Sequence, residues 1–246
     1  MRKIQSFVLS MIFMLSVNHS YATPFELYKI PSHFLLQLGG YWRTQADNQF
    51  IQIDNLVGDY FKVNGGAQSN GLVGVGYFLD AKPQSRFKMS YGVNWFYLPK
   101  TQVKGKVFQE NLFENLTYAY NVTNYPLYGI AKSTIMTAYP DRYLTLNVGI
   151  GPNFMTTGQF QEHSIPDEFF VALPNQFFSG KTTTLFTATA GVGIQVDHFF
   201  GKAPLECGYQ FFYLGNGKFN VVNPLVQNTL ETGTLYANAV MCSIAL

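Results

Sequence analysis

The stretch Arg86-Phe-Lys-Met-Ser-Tyr-Gly-Val-Asn-Trp-Phe-Tyr-Leu98 alternates with a period of two. Phe87, Met89, Tyr91, Val93, Trp95 and Tyr97 fall on one face; Lys88, Ser90, Gly92, Asn94 and Phe96 fall on the other. Side chains of a strand point alternately to its two faces, so one face here suits lipid and the other a polar interior. A bilayer offers backbone groups no water, and a sheet therefore crosses it only as a closed barrel.

Working outward from this segment, the chain reads as eight strands, each long enough for a tilted crossing of about 9–11 residues. The first spans His33 to Trp42, with Phe34, Leu36 and Leu38 opposite Gln37 and Gly39. The second, Gly71 to Leu79, sets Val73, Val75, Tyr77 and Leu79 against Gly74 and Gly76, and Ala81-Lys82-Pro83-Gln84 turns into the third. The fourth lies within Asn115 to Thr137 with its phase open, and Pro126, which cannot donate to a ladder, marks a bulge or bend there. After the turn Tyr139-Pro140-Asp141, strand five puts Leu144, Leu146, Val148 and Ile150 outward, with Thr145, Asn147, Gly149 and Gly151 inward. Strand six alternates Phe186, Ala188, Ala190, Val192, Ile194 and Val196 with Thr187, Thr189, Gly191, Gly193, Gln195 and Asp197. Gly201-Lys202-Ala203-Pro204 leads into strand seven, Leu205 to Leu214, and strand eight is Leu230 to Leu246.

The connections alternate in length. Links two–three, four–five and six–seven are short, whereas Arg43 to Asn70, Pro99 to Glu114, Thr156 to Lys181 and Gly215 to Thr229 are long. Short periplasmic turns and long external loops are the habit of outer-membrane barrels, and they place both termini on the periplasmic side.

Residues 1–22 read as a cleaved signal peptide. Arg2 and Lys3 precede an apolar run, Phe7 to Val17, too short to span a membrane, and Ser20-Tyr21-Ala22 offers small residues for cleavage after Ala22. No cysteine at that boundary suggests a lipoprotein. The barrel domain is then 23–246. All 14 acidic residues lie beyond Ala22, and two of the 16 basic ones lie before it, so the mature chain carries 14 of each and no nucleic-acid partner is expected. Charged residues make up 12% and aromatics 17%; soluble domains average about 25% charged. A charge-poor, aromatic-rich chain without an apolar run of about 20 residues fits a lipid-facing girdle rather than transmembrane helices.

The fold class is thus all-β, a transmembrane up-and-down antiparallel β-barrel of eight strands. The chain resembles the small outer-membrane barrels of Gram-negative bacteria, the OmpA-like and opacity-type surface proteins. The resemblance is carried by the signal, the pairs Gly74/Gly76, Gly149/Gly151 and Gly191/Gly193, the segment Thr145-Leu-Asn-Val-Gly-Ile-Gly-Pro-Asn153, and a last strand running to the final residue. It departs in ending on Leu246, where such barrels end on Phe or Trp; Val240, Cys242, Ile244 and Leu246 keep the alternation as a signal for the barrel-assembly machinery. The resemblance implies outer-membrane lipid and lipopolysaccharide as surroundings, a monomer, no cofactor and no catalytic motif.

Candidate functional residues fall in three groups. Gln37, Lys88, Asn94, Thr187, Gln195, Asp197, Glu206 and Gln210 face inward. Lys88 with Glu206 or Asp197 is the candidate buried ion pair, within either a narrow pore or a packed polar plug; eight strands leave room for little more than side chains. Cys207 and Cys242 lie outward near the periplasmic ends of neighbouring strands, where an oxidising compartment allows a disulfide if the register brings the Cβ atoms within about 3.8 Å; the alternative is two small apolar residues facing lipid. The loop Gln159 to Gly180 holds Phe160, Phe169, Phe170, Val171, Leu173, Phe177 and Phe178. These form either a contact surface for a host or surface ligand, or an upward extension of strand six through Phe177 and Phe178 with Phe169 and Phe170 folded over the barrel mouth. His163, near Glu162, Ser164, Asp167 and Glu168, would suit acyl hydrolysis only if held in register, and no enzymatic role is expected. The two acceptor sequons Asn115-Leu-Thr117 and Asn121-Val-Thr123 carry no weight in a bacterial barrel. The expected role is surface interaction or envelope integrity, with a small porin as the alternative and a lipid-modifying enzyme as a third.

Overall fold

A computed structural model describes residues 31–246 apart from 45, 67, 82–86, 167–170 and 202. The predicted signal peptide, the tip of the first short turn, Lys202, and the loop residues Asp167, Glu168, Phe169 and Phe170 lie outside the described residues.

Eight antiparallel strands close on themselves: β1 (Ser32–Arg43), β2 (Gln68–Asp80), β3 (Phe87–Gln109), β4 (Phe113–Met136), β5 (Arg142–Ser164), β6 (Lys181–Phe200), β7 (Ala203–Lys218) and β8 (Glu231–Ala245). Each pairs with its neighbours in sequence, and β8 pairs with β1, from Leu35–Ala245 to Arg43–Ala237. Closure leaves the ring without an edge, which lipid would not tolerate.

The predicted phases hold. On β5, Leu144, Leu146, Val148 and Ile150 are exposed while Thr145 and Gly149 are buried. Phe186, Val192 and Ile194 of β6 and Phe34, Leu36 and Leu38 of β1 are likewise exposed. From Leu144 to Phe154 this apolar face spans about 25 Å of membrane normal at the usual tilt of about 40°. Its upper margin is aromatic, with Trp42, Tyr97, Tyr125, Phe154, Phe186, Tyr213 and Tyr236 facing outward. A closed antiparallel ring with an apolar belt and aromatic margin is the outer-membrane barrel architecture, and the protein is a barrel of that membrane.

Three expectations are corrected above the belt. Pro99 to Glu114 is not a loop: β3 continues to Gln109 and turns at once into β4, whose partner faces follow the same ladder from Gln109–Phe113. Here Thr101, Val103, Gly105 and Val107 point inward and Lys100, Gln102 and Lys104 outward, so the alternation continues with water replacing lipid outside. β5 likewise runs to Ser164, shortening the five–six loop. The bulge is also displaced: Pro126 stays in register opposite Asn153 of β5, and the β3–β4 ladder slips instead between Leu98 and Thr101, at Pro99. Two small strands, Gln49–Ile51 and Asp59–Val63, extend the sheet beside β3, and Phe178–Ser179 pairs with Asn220–Val221 rather than lengthening β6.

Candidate functional site

The barrel interior divides into a polar base and an aromatic top. At the periplasmic mouth Asp80 accepts from Lys88 (2.7 Å) and Ser90 (2.7 Å), with His33 Nδ1 at 3.5 Å. Lys88 is inward as predicted, but it is half-exposed and spends its charge on the neighbouring strand rather than on Glu206 or Asp197. Asp197 accepts instead from Gln195 (2.7 Å).

The buried pair is Lys132–Glu206. The ammonium of Lys132 donates to Glu206 across the lumen, and Thr145 Oγ1 donates to the same carboxylate at 2.6 Å. Their side chains are 8% and 15% exposed, so each ion would be costly alone. Next to this pair Gln210 Nε2 donates to Asn147 Oδ1 (2.9 Å) and Thr189 Oγ1 (2.5 Å). Gly191 makes this layer fit, because a Cβ there would lie 2.0 Å from the Gln210 amide oxygen. Gly74 does the same for Phe96, whose ring would sit 2.6 Å from an added Cβ. A cavity of about 350 Å³ opens below the ion pair toward the periplasm, between His33, Gln195, Glu206 and Ser243.

Above the polar base the lumen is filled. Phe96, Tyr128 and Phe212 meet at centroid distances of 5.1–6.1 Å, with the Tyr128 hydroxyl 2.9 Å from Thr187. Asn153 donates to Asn124 (2.9 Å) and to the Leu214 carbonyl (2.8 Å). Higher still, Phe61, Tyr118, Tyr120, Phe160, Phe178 and Phe219 form one cluster of stacked and edge-on rings at 4.9–6.5 Å. Phe160, Phe177 and Phe178 therefore do not form an external contact surface; Phe177 and Phe178 are buried and Phe160 joins the cluster. Apolar rings at the mouth lose water by folding inward.

Asp59 ties the external ends together. Its carboxylate accepts from the Glu110 amide (3.1 Å) at the β3–β4 tip and from Asn175 (3.0 Å) in the β5–β6 loop. Glu162 accepts from the Gln176 amide at 2.8 Å in the same loop. Burial pushes both carboxyls above the usual range, and the Asp59 charge raises Glu162 further. Glu162 faces inward and His163 outward on adjacent positions of β5, and the Ser164 hydroxyl donates to the Ala172 carbonyl, so among the described residues of this group Glu162 and His163 do not converge.

Lys132 was missed because the phase of β4 was open. An exposed apolar crown stands at the loop tips: Val171 and Leu173, both in the loop predicted as a contact surface, stay exposed, and with them Leu112 and Phe113 on the β3–β4 turn and Leu56 and Val57 beside it, all by 55–79%. The last four escaped sequence reasoning because they lie at loop tips. These tips are linked, Val57 N donating to Glu110 (3.0 Å) and Gln109 to the Leu173 carbonyl (3.5 Å).

Cys207 and Cys242 stand directly opposite in the β7–β8 ladder and form a disulfide on the outward face. The ring thereby supplies the register that the sequence left open.

Among solved structures, the outer membrane protein OprG from Pseudomonas aeruginosa is 10% identical over 88% of this chain and 97% of its own, with a TM-score of 0.47. Neisserial surface protein A is 10% identical over 88% and 98%, with a TM-score of 0.40. The attachment invasion locus protein Ail of Yersinia pestis is 7% identical over 88% and 98%, with a TM-score of 0.32. No protein-family model matches the chain, and no curated protein matches its sequence.

Proposed function

We propose that this protein is a plugged surface barrel that acts through its external crown, as an adhesive or envelope-contact protein, rather than a channel. The supporting observation is the contrast along one axis. The lumen is closed by the Tyr118–Tyr120–Phe160–Phe178–Phe219 cluster, while Leu112, Phe113, Val171 and Leu173 are held out into water at the tips. β3 rises about 30 Å beyond the aromatic margin before it turns, high enough to reach past lipid headgroups. Clustered exposed apolar side chains on a rigid hairpin favour contact with an apolar patch on another protein.

The test is adherence to epithelial monolayers of cells displaying the whole barrel. Leu112→Ser, Phe113→Ser and Leu173→Ser together are expected to abolish it while heat-modifiable migration on gels reports an intact barrel. Unchanged adherence by the folded triple variant would overturn the reading.

A further inference from the structure

A buried arginine stands without a counter-charge at the external rim of the barrel. Arg43 ends β1 immediately after Trp42, whose ring marks the lipid side of the aromatic margin. Arg43 itself points inward and is 3% exposed; its Nε and Nη1 are enclosed and donate to nothing. Among the described residues no carboxylate lies within ion-pair distance of it.

The wall opens beside this guanidinium. The β2–β3 ladder begins at Val73–Tyr97, and above it β3 takes Asp59–Val63 as its partner, from Val63–Gly105 upward. Between those two pairings lies a cavity of about 160 Å³ lined by Arg43, Lys104, Gln68, Gln102 and the backbone of Gly65 and Gly66. Among the described residues that line it none is acidic. Gly66 has a φ of +153°, and a Cβ there would meet no atom within 4 Å, so its bare backbone is one wall of the space.

We propose that this cavity binds a phosphoryl group. A guanidinium presents a planar fork of donors matched to phosphate or carboxylate oxygens. Arg43 lines the cavity from the lumen side, and Lys104 and Gln102 line it from the outer side of the opened wall, so Lys104 adds a second cation, which favours a dianion. The Gln68 and Gln102 amides supply neutral donors to remaining oxygens. At about 160 Å³ the cavity has room for a phosphomonoester. An anion there would compensate a buried charge that is otherwise costly. Level with the aromatic margin, the site is within reach of the phosphate of an outer-leaflet glycolipid as well as of free phosphate. The site is independent of the crown: it stands or falls whether or not the tips bind a partner.

The experiment follows the thermal midpoint and the calorimetric binding isotherm of the whole barrel. It is titrated with inorganic phosphate and, separately, with a bisphosphorylated glycolipid and its dephosphorylated form in mixed micelles. The midpoint is expected to rise with a phosphorylated ligand, as for any ligand of the folded state. A response to glycolipid alone assigns the lipid source; a response to both admits free phosphate. Arg43→Met is expected to abolish the response and, in anion-free buffer, to melt no lower than the parent. Lys104→Ala, at an exposed position, should fold normally and bind about tenfold more weakly, and it decides the matter if Arg43→Met does not fold. The proposal is overturned if the parent binds neither ligand, if the dephosphorylated glycolipid binds equally, or if folded Arg43→Met or Lys104→Ala binds as well as the parent.

Discussion

Lys132 and Glu206 show how much one lumen contact depends on its partner. With both present, the pair and the Thr145 hydroxyl satisfy each other in a largely water-excluded layer. Lys132→Met leaves Glu206 buried without its cation and should cost about 3–5 kcal/mol in denaturant unfolding, whereas adding Glu206→Gln should recover most of the loss. Equal destabilisation by single and double variants would contradict the pairing. The Cys207–Cys242 bridge closes a loop with a sequence separation of 35, which corresponds to about 3–4 kcal/mol of denatured-chain entropy. Reduction, or Cys242→Ser, should lower the thermal midpoint measurably, and an unchanged midpoint would argue against the bridge. Neither contact was fully legible in the sequence. The cysteines could be placed on one face of adjacent strands, but their register is set by the whole ring. Lys132 was hidden because β4 has no single apolar face. Its inward side is apolar where it lines the plug (Leu116, Tyr118, Tyr120, Val122) and its outward side is apolar only lower down (Leu127, Ala131, Ile135).

Among the elements, the β3–β4 hairpin is the one that turns a membrane barrel into a surface-displayed one. Below Leu98 lipid selects its outward residues, and the pattern was readable. Beyond Pro99 water selects them, so Lys100, Gln102 and Lys104 replace Tyr91, Val93 and Trp95, and an apolar alternation no longer marks a strand. The remaining signal was the inward set Thr101, Val103, Gly105 and Val107. The hairpin tip is fastened through Asp59, and the loop beside it through Glu162. Both carboxyls titrate above their ordinary range, so the folded state binds protons more tightly than the unfolded chain. Their contribution to stability therefore rises as pH falls from above the raised values toward the ordinary carboxylate range of about 4, and levels off below it. The thermal midpoint should increase over that acidic window, and Asp59→Asn with Glu162→Gln should flatten the increase. A midpoint that fell on acidification through the same window would reverse the sign of this account.

At the scale of the molecule, one ring of strands holds two interiors. Charges and amides fill the periplasmic half, which remains open below to a cavity of about 350 Å³; aromatic rings fill the external half. The closed barrel and its lipid belt were legible because lipid imposes a strict period of two. The plug was not, because its rings come from β4, β5, the first and third external connections and the segment after β7, and only folding brings them together. An eight-stranded ring is narrow enough for such side chains to close it. The central claim is that they do. Single-channel recording of the folded barrel in planar bilayers tests it most directly: the account predicts a silent membrane from protein shown to be folded by its heat-modifiable gel mobility. Discrete, reproducible conductance steps from the same folded protein would contradict it.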